Sequence, residues 1–390
     1  MDRVLVLFGP AQAGYDFGPG HPMQPVRLHL TMDLCRAAGL MDHPALETAA
    51  PGPLPDEVLT RTHAPALVRA IRDLGEDPLW SVGAEAMEFG IDPDTPAFHG
   101  MHDAAAAVCA AAHDGALAVW EGRAAHAFSP AGGLHHAQAG RAAGFCVYND
   151  CSVAINALLD AGARRVAYVD VDVHHGDGTQ WIHYGDPRVM TCSVHESGRF
   201  LYPGTGFVDE LGHGAAAGTA VNVPMPPFAA TEEWLMALDE VVIPLVEAFG
   251  PDAIVSQGGA DSHHLDPLAH VQTTIDVFPA MWSRLHDLAH RACAGRWVGL
   301  GGGGYEPFCT VPRAWTLMLA EMLGVRLDGP LPPAWREHAL RAGARVVSSG
   351  YRDDQAPDRS DAQRARARSE AERSIAEARA ALFPRWGLAP

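Results

Sequence analysis

The chain has 390 residues, 48% of them hydrophobic and 19% charged, with a formal net charge of −19. Such a composition fits a globular, soluble chain that buries a large core as one big α/β domain or two ordinary ones. The acidic balance excludes a general phosphate-backbone binder, which needs a basic face, and no apolar run of 18 or more residues marks a membrane span.

From Met1 to Gly9 a short apolar run reads as a first or edge strand, too short for a secretory segment. Gly9 to Pro25 is a Gly/Pro-rich loop holding His21-Pro22-Met23-Gln24-Pro25-Val26-Arg27. Leu28 to Ala38 carries apolar residues at helical spacing and stops before Gly39. Pro51 to Pro55 is a loop, Asp56 to Leu59 the start of a short strand, and Arg61 to Leu74 a helix. The turn Asp92-Pro93-Asp94-Thr95-Pro96 leads into an Ala-rich helix from His102 to Trp120. Ala125 to Phe128 is a strand entering Gly132-Gly133-Leu134-His135-His136, and Asn149 to Asp160 is a helix. Arg165 to Val173 is a Val-rich strand that runs into His174-His175-Gly176-Asp177-Gly178.

Pro187 to Val194 and Val221 to Val223 are further strands. Glu232 to Phe249 is a helix interrupted near Pro244. Ala253 to Ser256 opens onto Gly258-Gly259-Ala260-Asp261, and after a helix from Val277 to Cys293 the strand Trp297 to Leu300 opens onto Gly301-Gly302-Gly303-Gly304-Tyr305. A helix from Val311 to Leu323 follows. Strands alternating with helices predict an α/β fold, a mostly parallel sheet covered on both faces. No linker divides the chain before about Gly329, so 1–329 is expected to be a single catalytic domain. Residues 330–390 read as an Arg/Glu/Ala-rich extension whose helix, Asp353 to Arg379, is solvated, packs weakly and is available for self-association. Seven cysteines without a CxxC pair suit reduced thiols and a cytoplasmic home, and all 28 cationic residues are arginine, a bias that Ala-, Arg- and Gly-rich usage explains.

On a strand, alternate side chains share a face, so Asp170, Asp172 and His174 would project together, a set that suits a divalent metal. The plainer alternative, a solvated acidic loop, requires two carboxylates inside an apolar run to cost nothing. Taken singly, the other polar loops are weak signals. His135 and His136 read as structural imidazoles, Asp261 as a helix cap, and Gly301 to Gly304 as a backbone that approaches a ligand closely, since no Lys or Ser/Thr follows as a phosphate loop requires. All four loops follow strands directly, and in open α/β sheets such loops build the site.

Together, Gly-Gly-Leu-His135-His136, Asp170-x-Asp172-x-His174-His175-Gly-Asp177-Gly, Gly-Gly-Ala-Asp261 and Gly-Gly-Gly-Gly-Tyr305 resemble the zinc-dependent histone deacetylase family. The motifs run in the family's order up to about residue 325. His21 to Arg27, Asp94 to His102 and Ser197 to Gly206 most resemble its bacterial acetoin-utilisation members. The resemblance implies a three-layer arginase/deacetylase fold with about eight strands. It implies Zn2+, or Fe2+ in the cell, on Asp172, His174 and Asp261, with open positions for water and a carbonyl oxygen. It makes His136 the general base and acid and His135 its electrostatic partner, with Asp170 and Asp177 supporting them, and Tyr305 the donor to the oxyanion. Asp94, Gly144, Phe145, Tyr202 and Leu268 would bind substrate along an acyl-lysine tunnel. Tyr202 stands where relatives usually carry Phe. The backbone carbonyls of Asp170, Asp172, His174 and Val194, with Ser193, would hold a structural K+. The expected substrate is an acetylated lysine of a protein or peptide, such as an acetyl-CoA synthetase. A small acetylated polyamine is the rival, and a two-manganese ureohydrolase or an inactive scaffold stand further off. Neither nucleic acid nor membrane is an expected partner, while an oligomer is compatible.

Overall fold

The structure, a computed structural model, describes residues 2–78 and 83–389. Eight strands form its sheet: β1 (Val4–Leu7), β2 (Leu46–Ala49), β3 (His126–Ser129), β4 (Val166–Asp170), β5 (Val189–Glu196), β6 (Ala220–Met225), β7 (Ala253–Gln257) and β8 (Trp297–Leu300). Their order is β2-β1-β3-β8-β7-β4-β5-β6, and every pairing is parallel. A parallel sheet needs apolar cover on both faces, and the strands supply it by alternation. Ala167, Val169, Ile254 and Trp297 face one buried cluster, together with the helices Val277–Cys293 and Thr310–Met322. Val166, Tyr168, Val255 and Val298 face the other, under the helices Met101–Trp120 and Asp150–Asp160. The chain is therefore a three-layer α/β structure, the architecture implied by the resemblance.

Local structure departs from expectation at a few places. The first strand, β1, lies inside the sheet, because Leu46–Ala49 pairs outside it. That edge strand gave no signal, since Glu47, Thr48 and Ala49 are exposed and carry no apolar alternation. Asp56–Leu59 is a helical turn, with two acids in its first turn and the Thr60 N–H on the Asp56 carbonyl at 2.8 Å. Pro10–Ala13, inside the expected loop, is another helical turn. Around Pro244 the helix widens into a π-turn, Leu238–Val242, which absorbs the missing amide before Ile243–Phe249 resumes.

The acidic strand is shorter than its apolar run suggests. β4 stops at Asp170: the Val171 N–H still reaches the Gln257 carbonyl of β7 at 3.2 Å, but from Asp172 on the amides bond to side chains. The Asp172 N–H donates to Asp170 Oδ1 at 3.2 Å, and the His174 N–H to Asp172 Oδ1 at 3.0 Å.

The C-terminal helix, Asp361–Leu382, is docked rather than weakly packed. Ala367, Ala371, Ile375, Ala378 and Leu382 are buried, and the helix lies against β6 and the helix Thr231–Ala237. Residues three or four apart, three of the five being alanine, form this stripe, which a reading weighted to large apolar side chains passes over.

Candidate active site

Four adjacent strands in the middle of the sheet, β3-β8-β7-β4, each end in one of the polar loops. The loops therefore meet at one place, the carboxyl ends of the central strands. After β3, the backbone turn is held by Asp150, whose carboxylate accepts from the Gly133 and Leu134 N–H groups at 2.9 and 2.7 Å. That turn delivers the two histidines. His135 Nδ1 lies 2.8 Å from Asp170 Oδ2, and His136 Nδ1 lies 2.7 Å from Asp177 Oδ1. The two Nε2 atoms face each other at 3.1 Å.

Environment separates these two imidazoles. Burial pushes both down, but the Asp170 and Asp172 carboxylates outweigh it at His135, which rises to about 9. At His136, burial and the neighbouring His135 charge prevail over Asp177, and the ring falls to about 4. The pair is thus one protonated and one neutral imidazole at neutral pH, a division that suits proton transfer.

Asp172, His174 and Asp261 converge beside them and are buried. His174 Nδ1 lies 3.1 Å from Asp172 Oδ1 and 3.1 Å from Asp261 Oδ2. Outer contacts fix both carboxylates: Asp172 Oδ2 accepts from Gln257 Nε2 at 2.6 Å and the Gly303 N–H at 2.7 Å, while Asp261 Oδ1 accepts from the Val173 N–H at 2.8 Å. A Cβ on Gly303 would stand 2.0 Å from Asp261 Oδ2, so only glycine lets the β8 loop approach. Asp170 is not part of this set. Its carboxylate turns to His135 and to the Tyr168 hydroxyl, 2.7 Å away, so the three residues do not share one face as an extended strand would require.

The donor set fits a divalent metal. Carboxylate oxygens and imidazole nitrogens are both zinc-binding donors, and three protein ligands leave a further coordination position open. The electrostatics agree: despite burial, the two carboxylates raise His174 to about 10, so the site attracts a positive charge. Gln257 and the Gly303 amide supply the outer hydrogen bonds that orient metal-binding carboxylates.

A cavity of about 590 Å³ leads to this point, lined by Asp94, His136, Gly144, Phe145, His174, Asp177, Tyr202, Leu268 and Tyr305 among others. Each of the five expected substrate-binding residues is in its wall. The Phe145 ring packs edge-on to Tyr305 at 5.7 Å, and Tyr202 edge-on to His136 at 5.0 Å. Gly144 and Phe145 both adopt left-handed backbone, φ 52° and 66°. An aromatic residue there is strained, and two bonds hold it: the Phe145 N–H donates to Thr95 Oγ1 at 3.0 Å, and the Tyr15 hydroxyl donates to the Phe145 carbonyl at 2.8 Å. At the mouth, Asp92 forms the turn by accepting from the Asp94 and Thr95 N–H groups, both at 2.9 Å. The Asp94 carboxylate is therefore not the turn-former.

The family pattern described as "Histone deacetylase domain" matches residues 21–322. The chain belongs to the histone deacetylase family. It is similar to the acetoin utilization protein AcuC of Bacillus subtilis (strain 168), 38% identical over 335 residues, 86% of each chain. It is also similar to the AcuC proteins of Staphylococcus xylosus, 36% identical over 324 residues covering 82% of this chain and 83% of that one, and of Staphylococcus aureus (strain MRSA252), 34% identical over 342 residues and 86% of each. As a histone deacetylase family member it is a hydrolase of the deacetylase type, and the whole cavity with its histidine pair lies within the matched segment.

Several residues that shape this deacetylase-family site lie outside its four strand-end loops. Arg27 is buried and donates from Nη1 to the Gly302 and Gly304 carbonyls at 2.8 and 3.2 Å, pinning the glycine loop from behind. Asp266 accepts the Tyr305 N–H at 2.7 Å, and burial with the nearby Asp261 charge raises it to about 8. Gln257 bridges Asp172 and the Gly133 carbonyl, at 2.6 and 3.1 Å. The Pro25-x-Arg27 spacing was visible; Asp266 and Gln257 were not, because their partners are far away in the chain. Ser193 and Val194 do not line the cavity. They lie one strand over, where Asp170 pairs in register with Ser193. All seven cysteines are free and buried, and among the described residues no helix is long and apolar enough to cross a membrane.

Proposed function

We propose that the chain is a metal-dependent deacetylase that hydrolyses the acetyl-lysine amide of a protein or peptide, acetyl-CoA synthetase being a substrate of the right type. The observation that carries this reading is the joining of a two-carboxylate, one-imidazole metal set to a neutral histidine, both at the foot of one aromatic-walled cavity. Asp172, His174 and Asp261 would hold the ion, Zn2+ or Fe2+. When bound, it supplies a Lewis acid that polarises the amide oxygen and makes water a better nucleophile. The relatives' name, acetoin utilization protein, supports the assignment to this branch of the family.

The protein's own residues carry the proton and orient the substrate. Phe145 and Tyr202 flank the neutral acyl-lysine stem, with Gly144 and Leu268 beside them, and Asp94 at the rim accepts from substrate backbone amides. His136 Nε2, its ring held by Asp177, takes the proton from the attacking water. Oxygen bonds to the acetyl carbon, the carbonyl oxygen gains negative charge, and the Tyr305 hydroxyl donates to it. The carbon–nitrogen bond then breaks, and the proton returns from His136 to the departing ε-amine, leaving acetate and lysine. His135, charged through Asp170, stabilises the anionic oxygen. Asp170, Asp172, His174, Ser193 and Val194 would ring a structural K+ behind the site.

Acetate release from an acetyl-lysine peptide by the purified, metal-loaded chain tests this reading. A second reading, hydrolysis of an acetylated polyamine, draws on Asp92 and Asp94 at the mouth, which would attract a cationic chain; Arg141 in the same wall opposes it. Faster turnover of acetylputrescine than of the peptide would select the polyamine.

A further inference from the structure

At the other end of the sheet, where the strands begin, a separate cluster of histidines converges. His126 is the first residue of β3, and His286 and His290 lie one turn apart on the helix Val277–Cys293. His126 Nε2 is 3.1 Å from His286 Nε2, and His290 Nε2 is 3.0 Å from the same atom. Asp2, just before β1, brings Oδ2 to 3.6 Å from His290 Nε2. The four donor atoms all lie within 4.8 Å of one another. Three chain segments thus deliver three imidazole nitrogens and one carboxylate oxygen to a single point.

Two further features favour a ligand there. Glu321 Oε1 lies 3.2 Å from His286 Nδ1, which places the ring proton on Nδ1 and turns the Nε2 lone pair into the cluster. Such a carboxylate behind a histidine is the usual outer partner of a metal-bound imidazole. His126 is fully buried, so its Nε2 meets the cluster out of reach of water. A tetrahedral ion with zinc–nitrogen bonds of about 2.0–2.1 Å holds its ligand atoms roughly 3.3 Å apart, close to the 3.1, 3.0 and 3.6 Å of the three neighbouring pairs. The competing account is a neutral chain in which His126 and His290 each donate Nε2–H to His286.

We propose that His126, His286, His290 and Asp2 form a second, structural site for a zinc-class divalent ion, which clamps the start of the chain to the base of the sheet. Four protein ligands leave no open position, which marks a structural rather than a catalytic site. The site is distinct from the deacetylase centre, since β3 and β8 run from one to the other. The reading does not depend on acetyl-lysine chemistry.

The test counts metal. Full-length, untagged protein is loaded with Zn2+, desalted and analysed by plasma mass spectrometry, as wild type and as His286→Ala, His290→Gln and Asp172→Ala. Each histidine variant is expected to hold one zinc fewer per chain than wild type. Combining either with Asp172→Ala should remove a further ion, which separates this site from the catalytic one. His290→Gln keeps side-chain bulk and a polar group, so the comparison survives if His286→Ala fails to fold. Co2+ loading should give wild type a visible four-coordinate absorption that both histidine variants lose in part. Equal zinc counts and equal cobalt spectra in wild type and His290→Gln would overturn the site and leave the hydrogen-bonded histidine chain.

Discussion

His136 combines three properties that a general base needs: a place at the foot of the cavity, a ring fixed by Asp177, and a neutral charge maintained by burial and by His135. Its carboxylate partner is Asp177. Asp177→Asn keeps the shape but offers the wrong group to Nδ1, and acetate release should fall by about 10²–10⁴-fold, the range of general acid–base contributions. Tyr305→Phe tests the oxyanion donor, and kcat should fall by about 10²–10³-fold while KM changes little. Steady-state kinetics on an acetyl-lysine peptide checks both. At this scale the chemistry-bearing residues were legible, because histidines, carboxylates and glycines crowd into short motifs. Two residues that hold those motifs were not: Gln257 and Asp266 act on a carboxylate and a backbone amide brought near only by folding, while Arg27 stands in the motif His21 to Arg27, which carries no sign of its hold on the glycine loop.

At the scale of elements, the segment beyond the helix Thr310–Met322 is tied in above all by one largely buried carboxylate. Asp353 accepts from His263 Nε2 at 3.0 Å, from the Ile275 N–H at 2.8 Å and from Arg313 at 2.9 Å. Burial alone would raise its pKa, but the His263 bond and the Arg313 charge hold it well below the usual carboxylate range. A depressed folded pKa stabilises the protein above the unfolded value of about 3.9, and that stability is lost as pH falls towards the folded value. Asp353→Asn should therefore cost about 3–5 kcal/mol at neutral pH, since it strands a buried cation. Urea denaturation should show this gap narrowing as pH falls below about 4. Elements with strong apolar periodicity, such as Val277–Cys293, were legible to the residue. Those governed by side chains bonding to backbone, such as the end of β4, were not.

For the whole molecule, the order of the strands decides that four separated motifs make one site, and no local pattern encodes that order. What the sequence carries is the rule that each motif follows a strand; the sheet supplies the adjacency β3-β8-β7-β4. The C-terminal helix belongs to this scale too. It lies against the edge strand β6, and the Trp386 indole N–H reaches the Gly218 carbonyl at 2.8 Å. Ending the chain after Asp358 would remove the helix and uncover the surface of β6 that its apolar stripe covers, and should lower the melting temperature and promote aggregation, measured by calorimetry and light scattering. The central claim rests on one comparison, acetate released from an acetyl-lysine peptide by the Zn2+-loaded chain and by its His136→Ala variant. The account predicts release by the first and none above background by the second, with both equally folded by circular dichroism. Equal release by the two would contradict it.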